Sequence, residues 1–233
     1  MNIKSESVEF ASYLENWFAG VPSLALAEII PQPQKVAAIS VDITNGFCYT
    51  GALSSPRVAD IVAPTRQLFV DLHRLGVRNF ILTQDSHEPD AVEFAQWPAH
   101  CVRGTEESET VNEFKSLPFF SEFILFPKNS IQAAFNTGLP GWIEAHPEVD
   151  TFIVTGDCTD LCTYQLAMYL RLDANARQLS RRVLLPENCV QTYDIPVRTA
   201  VENQLSAHPG DFIHLLFLYH MALNGVEVIK TLE

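Results

Sequence analysis

The sequence predicts an α/β fold with a mostly parallel sheet covered by helices on both faces. Two observations carry this. From residue 36 onward, short apolar runs alternate with stretches of helical periodicity, and the runs are almost continuously apolar, as strands buried on both faces are. Clusters rich in Asp, His, Lys and Cys follow directly after four of these runs, where open α/β sheets hold their ligands.

The elements follow in order. Ser7 to Ala19 has the spacing of an amphipathic helix, with Val8, Phe10, Leu14, Trp17 and Phe18 as its apolar set. It is read either as a helix packed on the domain surface or as an arm to a neighbouring subunit. Pro22, Pro31 and Pro33 then interrupt the chain, so residues 1–34 form an N-terminal helical extension and residues 35–233 the main domain. Val36 to Ile43 is the first strand. Arg57 to Leu75 is a helix that stops at Gly76. Asn79–Thr83, Glu122–Phe126, Thr151–Thr155, Arg182–Leu185 and Val226–Ile229 are the further strands. Leu139–Ala145, Asp160–Leu179, 196–207 and 209–223 are the further helices. Gln84 to Lys115 breaks the alternation. It is long, irregular and rich in His, Asp, Glu and Pro, and such loops inside compact domains are often functional.

Composition excludes several classes. With 47% hydrophobic and 18% charged residues, the chain has material for a core and is not dominated by disorder. A net charge of −13 and a pI near 4.9 give no general attraction to nucleic acid or anionic membranes. No apolar run approaches the roughly 18 residues that span a bilayer. The five cysteines are odd in number and the opening residues Met1 to Glu9 are polar. The cysteines are therefore read as reduced thiols of a cytoplasmic protein.

Four clusters carry chemistry. Asp42, at the end of the first strand, is either a turn former or a catalytic group. Asp85 and His87 follow the second strand, and Glu93 and His100 can close a shell around one ion from the loop beyond, with Glu88 and Asp90 as competing ligands. Nitrogen and oxygen donors suit one divalent metal ion, zinc first, with iron or manganese as alternatives. Lys128, after the third strand, is either solvated or the partner of Asp42. Cys162 falls in the first turn of the helix that follows Gly156, with Thr159 or Asp160 as N-cap. A helix N-terminus favours thiolate, and its free N–H groups form an oxyanion hole. The alternatives for Cys162 are a buried small hydrophobe or a redox pair with Cys158.

Together these segments resemble the isochorismatase-like cysteine hydrolases, and within them the nicotinamidases. Asp42, Lys128 and Cys162, each after its own strand, resemble the family's Asp-Lys-Cys triad. Residues 41–48 resemble its first motif, Asp85-Ser86-His87 with Trp97-Pro98-Ala99-His100-Cys101 and Arg103-Gly104-Thr105-Glu106 its metal segment, and residues 159–163 its nucleophile turn. The likeness spans residues 36 to 230. It implies a three-layer α-β-α fold with a six-stranded, mostly parallel sheet. It implies that Cys162 attacks a small carboxamide, with nicotinamide the leading substrate and NAD salvage the context. In this picture Asp42 moves the proton, Lys128 holds Asp42, and the N–H groups of Cys158 and Cys162 bind the oxyanion after a cis peptide at Asp157–Cys158. Asp85, His87, Glu93 and His100 match the metal ligands, and the metal binds the substrate's ring nitrogen. Phe47, Trp97 and Phe135 match aromatic positions around that ring. A homo-oligomer is also implied. The chain departs from the pattern at Thr44, where many members have Gln, and at Asp157, where many have an aliphatic residue. Those departures bear on which amide is taken. The competing readings are a related hydrolase of another amide or carbamoyl compound, and a non-catalytic binder of the same fold.

Overall fold

A computed structural model describes residues 3–233. Helix α1 (Ile3–Ala19) leads through a short helical turn (Leu26–Ile29) to strand β1 (Val36–Val41). Then come α2 (Val62–Arg74), β2 (Asn79–Asp85), β3 (Ile124–Lys128), α3 (Leu139–Ala145), β4 (Thr151–Asp157) and α4 (Cys162–Ala176). The chain closes with β5 (Arg182–Pro186), β6 (Val190–Gln191), α5 (Val197–Asn203), α6 (Gly210–Leu223) and β7 (Glu227–Ile229). The described strands form one parallel sheet in the order β3-β2-β1-β4-β5-β7, with β6 beside β4.

Alternation within β1 explains the three layers. Val36 and Ala38 face a core shared with Leu68, Phe69 and Leu72 of α2. Ala37, Ile39 and Val41 face a second core with Leu166 and Leu170 of α4 and Leu218 and Met221 of α6. All six residues of β1 are buried, so neither face tolerates a charge. Each fully buried Leu, Ile or Phe here contributes about 1.5–3 kcal/mol of transfer free energy.

The six predicted strands are all present, and a seventh, the two-residue β6, joins them. Two residues are too few to leave a periodic signal. The helix expected over 57–75 is two helices, Pro56–Ala59 and α2. Pro64 explains the break: proline lacks an N–H and fits a helix only in its first turn, which is where α2 has it. The third strand runs two residues later than expected, because Phe120–Glu122 folds as a 3₁₀ turn. That shift brings Pro127 and Lys128 into the sheet. Proline is tolerated there because β3 is an edge strand.

The N-terminal segment is tied to its own domain. The rings of Phe10, Tyr13 and Trp17 surround Tyr219 of α6 at 5.9, 5.6 and 5.2 Å between centroids. Leu14 is fully buried, whereas Val8 and Phe10 of the predicted apolar set stay exposed. Backbone bonds from Leu24 N–H to Thr231 O (3.0 Å) and Lys230 N–H to Pro22 O (2.8 Å) fasten the following segment beside β7.

Register places the chemistry. Val41 of β1 pairs with Thr83 of β2 and Gly156 of β4, and Asp85 pairs with Lys128. Asp42, Asp85, Lys128 and the turn after β4 therefore share one carboxyl edge. Gly156 is needed there: its φ is +114°, and a Cβ would sit 2.0 Å from Val41 O. Gly156→Ala is expected to destabilise the fold by about 3 kcal/mol or more, combining backbone strain with overpacking. Urea denaturation measures this, and a loss below about 1 kcal/mol would contradict it.

Candidate active site

Asp42 leaves β1 in the left-handed region at φ +54°, which Asp tolerates better than most residues. Its N–H donates to Thr83 O (2.9 Å), and its Oδ1 accepts the Asp85 N–H (2.8 Å). These bonds fix the carboxylate in a fully buried position. Lys128, at the end of β3, reaches it from the neighbouring strands. Its Nζ lies 2.8 Å from Asp42 Oδ2, 2.5 Å from Asp85 Oδ1 and 3.4 Å from Cys162 Sγ. One carboxylate oxygen each of Asp42 and Asp85 and the Cys162 sulfur lie within 4.8 Å of one another. The three residues of the proposed triad are thus side by side, with Asp85 as a fourth member.

The charge states follow from burial and these contacts. Burial and the Asp85 charge raise the Asp42 pKa to about 6 against the pull of Lys128. Burial alone would lower Lys128, but Asp42, Asp85 and Cys162 hold its pKa well above the usual range, so it is an ammonium. For Asp85, burial acts upward but Lys128 and the two histidines win, and its carboxyl is strongly acidic. Burial pushes the Cys162 thiol up, helped by Asp42 and Asp85 and opposed by Lys128. Burial and the two carboxylates thus act against the thiolate that a helix N-terminus favours. Cys162 is a thiol beside an ionised carboxylate that can take its proton.

The turn after β4 differs from expectation in its cap. Leu161 occupies the N-cap position of α4 with no side-chain bond, and Cys162 is the first helical residue. Thr159 and Asp160 are engaged elsewhere: Thr159 Oγ1 meets His214 Nδ1 (2.7 Å), and Asp160 accepts from Thr192 Oγ1 (2.6 Å) and faces His208 Nε2 (2.9 Å). The peptide Asp157–Cys158 is cis. The N–H groups of Leu161 and Thr163 both donate to Cys158 O. Those of Cys158 and Cys162 have no backbone acceptor among the described residues.

Next to this group, Asp85, His87 and His100 bring one donor atom each within 4.8 Å of one another. His87 Nδ1 faces Asn129 Oδ1 (2.9 Å) and His100 Nδ1 faces Pro98 O (2.8 Å). Each Nδ1–H donates, so each Nε2 lone pair turns to Asp85, at 3.5 Å from His87 and 3.7 Å from His100. His87 Nε2 is buried without a hydrogen-bond partner among the described residues. A bare lone pair beside a carboxylate needs a positive charge between them, either a proton or a metal ion. Without a metal, burial works against the proton on His87 but Asp85 outweighs it and its pKa is raised. The donor set and the outward bonds at Nδ1 both fit a divalent ion. Glu93 is half-buried in the turn Val92–Ala95, outside that three-atom group, and acts on His87 through its charge.

The expected aromatic residues separate. Phe47 is buried and meets the His100 ring at 5.5 Å. Trp97 is half-buried and meets Tyr193 at 6.5 Å. Phe135 lies on the loop after β3, 66% exposed. The sequence reading missed Phe94, whose ring packs on both His87 (5.4 Å) and His100 (5.6 Å), and Asn129, which orients His87. Asn129 had a legible signal, since it adjoins Lys128 at a strand end.

Residues 36–214 match the isochorismatase domain family. The chain belongs to that family and is an amidohydrolase of its cysteine-hydrolase branch. It is similar to nicotinamidase 1 of Arabidopsis thaliana, 27% identical over 225 residues that cover 88% of this chain and 89% of that protein. Among solved structures, a cysteine hydrolase from Pseudomonas syringae superposes with a TM-score of 0.68 at 23% identity, covering 86% of this chain and 90% of the other. A pyrazinamidase of Pyrococcus horikoshii in complex with zinc superposes with a TM-score of 0.65 at 21% identity, covering 84% and 99%.

Proposed function

We propose that this protein hydrolyses nicotinamide to nicotinate and ammonia through a thioester on Cys162, as a step of NAD salvage. The observation that carries the reading is the position of Lys128 Nζ, which touches Asp42, Asp85 and Cys162 together. It joins an amide-cleaving end to a metal-ligating end through one buried ion cluster. The similarity to a plant nicotinamidase supports the same substrate.

In this reading Asp42 takes the Cys162 proton as Sγ attacks the carboxamide carbon. The N–H groups of Cys158 and Cys162 receive the oxyanion. The tetrahedral adduct collapses, the C–N bond breaks, and Asp42 gives its proton to the departing amine, which leaves as ammonia. Water then attacks the thioester with Asp42 as base, and the proton returns to the Cys162 sulfur as the carboxylic acid leaves. Lys128 holds Asp42 ionised between these transfers. Asp85, His87 and His100, with Glu93 beside them, are the residues that would hold a divalent ion, zinc first. When bound, that ion supplies a Lewis-acid contact that orients the substrate's ring nitrogen. Phe47, Trp97 and Phe135 are the proposed aromatic contacts to the ring.

The test is ammonia release from nicotinamide by purified, metal-loaded protein, with Cys162→Ala beside it. Release that Cys162→Ala abolishes supports the reading. No release from thiol-intact protein removes nicotinamide, and a panel of other small amides and carbamoyl compounds then identifies the substrate. Metal binding makes a separate prediction. Asn129→Ala is expected to weaken zinc affinity by about 10–100-fold, because it frees the His87 ring without removing a ligand. Titration of zinc into chelator-stripped protein measures it, and an unchanged affinity would count against His87 as a ligand.

A further inference from the structure

We propose that Tyr193 is a specificity-determining wall of the substrate site, opposite Trp97, and that it selects amides carried on a flat aromatic ring. The inference rests on the reading above that places the substrate between the metal-ligating loop and Cys162. Tyr193 follows β6, the strand the sequence did not announce, and β6 is strapped to the nucleophile turn. Gln191 O accepts the Thr159 N–H (3.0 Å), and Thr192 Oγ1 donates to Asp160 Oδ1 (2.6 Å). Tyr193 is thereby held next to the turn that ends at Cys162.

Its ring is fixed from behind. His208 stacks on it at 3.8 Å between centroids and 15° between planes. His208 is itself pinned, with Nε2 2.9 Å from Asp160 Oδ2 and Nδ1 3.0 Å from Tyr193 O. Trp97 is T-shaped to the Tyr193 ring, at 6.5 Å between centroids and 90° between planes. Trp97 comes from the same loop as His87 and His100, so the pair spans from the metal-ligating side to the nucleophile side. Burial, with the charges of Asp160 and Cys158, raises the Tyr193 phenol to about 12, so the ring stays neutral. A rigid, half-buried aromatic face at this place favours a flat π-system over an aliphatic chain.

The test compares labelling of Cys162 by a ring-bearing reagent, 3-(bromoacetyl)pyridine, with labelling by iodoacetamide. Peptide mass spectrometry follows Cys162 alone, and each rate is normalised to that of free glutathione. Tyr193→Leu, which keeps apolar volume but removes the π-face, is expected to lower the ring-to-no-ring rate ratio by about three- to tenfold. Tyr193→Phe is expected to keep the ratio, and a circular dichroism melt confirms that both variants fold. A ratio unchanged within about twofold in a folded Tyr193→Leu protein overturns the proposal. So does an equal fall in Tyr193→Phe, which would assign the effect to the hydroxyl. The labelling ratio does not depend on turnover. Absence of ammonia release by the wild-type protein would count against nicotinamide hydrolysis and leave the wall to stand or fall on this ratio.

Discussion

Lys128→Met is expected to lose nearly all ammonia release and about 3–5 kcal/mol of stability at neutral pH in metal-free protein. The lysine is fully buried, and its Nζ neutralises two buried carboxylates at once. Removing it leaves both charges uncompensated, the costly way to break a buried ion pair. Burial and mutual repulsion already push Asp42 up, and Lys128 is what opposes them. For Asp85, Lys128 is the largest influence drawing the pKa down. In the variant Asp42 therefore holds a proton near neutrality that the unfolded chain has released. The native state then binds more protons than the unfolded state, so stability falls as pH rises. In the wild type, the depressed Asp85 contributes stability that is present above the unfolded carboxyl range. The raised Lys128 contributes stability that is lost only as pH rises through its folded pKa, above 10.5. The gap between the two proteins should thus be wider at pH 8 than at pH 5. Urea denaturation at both values measures it. An equal gap would mean that lost packing, not charge, sets the cost. Activity should fail near neutral pH, where the wild-type Asp42 is ionised, because a protonated Asp42 cannot accept the thiol proton.

How much of this was legible in the sequence depends on distance along the chain. Strands such as β1 and β4 are buried on both faces, so an apolar run is enough to reveal them. Asp42, Asp85, Lys128 and Cys162 were legible because each directly follows, ends or closely succeeds such a run, and parallel register aligns those ends. What stayed hidden was set by contacts between remote segments. The double role of Asp85, shared between Lys128 and two histidines, depends on β2 and β3 pairing at that one register. The resting thiol of Cys162 depends on burial and on two neighbouring carboxylates, which helix position alone does not convey. The loss of Thr159 and Asp160 as caps depends on His214, Thr192 and His208, between 32 and 55 residues away.

Asp42→Asn is expected to lower kcat by about 10²–10⁴-fold while leaving the fold in place. The asparagine oxygen can still accept the Asp85 N–H, so the anchoring bond survives. What disappears is the base. Cys162 is a thiol whose pKa lies well above 9.0, so at neutral pH the thiolate must be made during the reaction. The wild-type rate should therefore track the ionisation of Asp42. Its pKa is raised to about 6 because burial and the Asp85 charge outweigh the help of Lys128. Hence kcat/KM should rise as pH increases through about 6 and level off above it, the sign required of a group that works as its carboxylate. In Asp42→Asn this limb should vanish. The residual rate should instead climb with pH across the neutral and alkaline range, by about tenfold per unit, as hydroxide generates the thiolate that the carboxylate no longer provides. A pH series of ammonia release on both proteins separates these shapes. If Asp42→Asn stayed within about tenfold of the wild type and kept an inflection near 6, the proton would be going to another group.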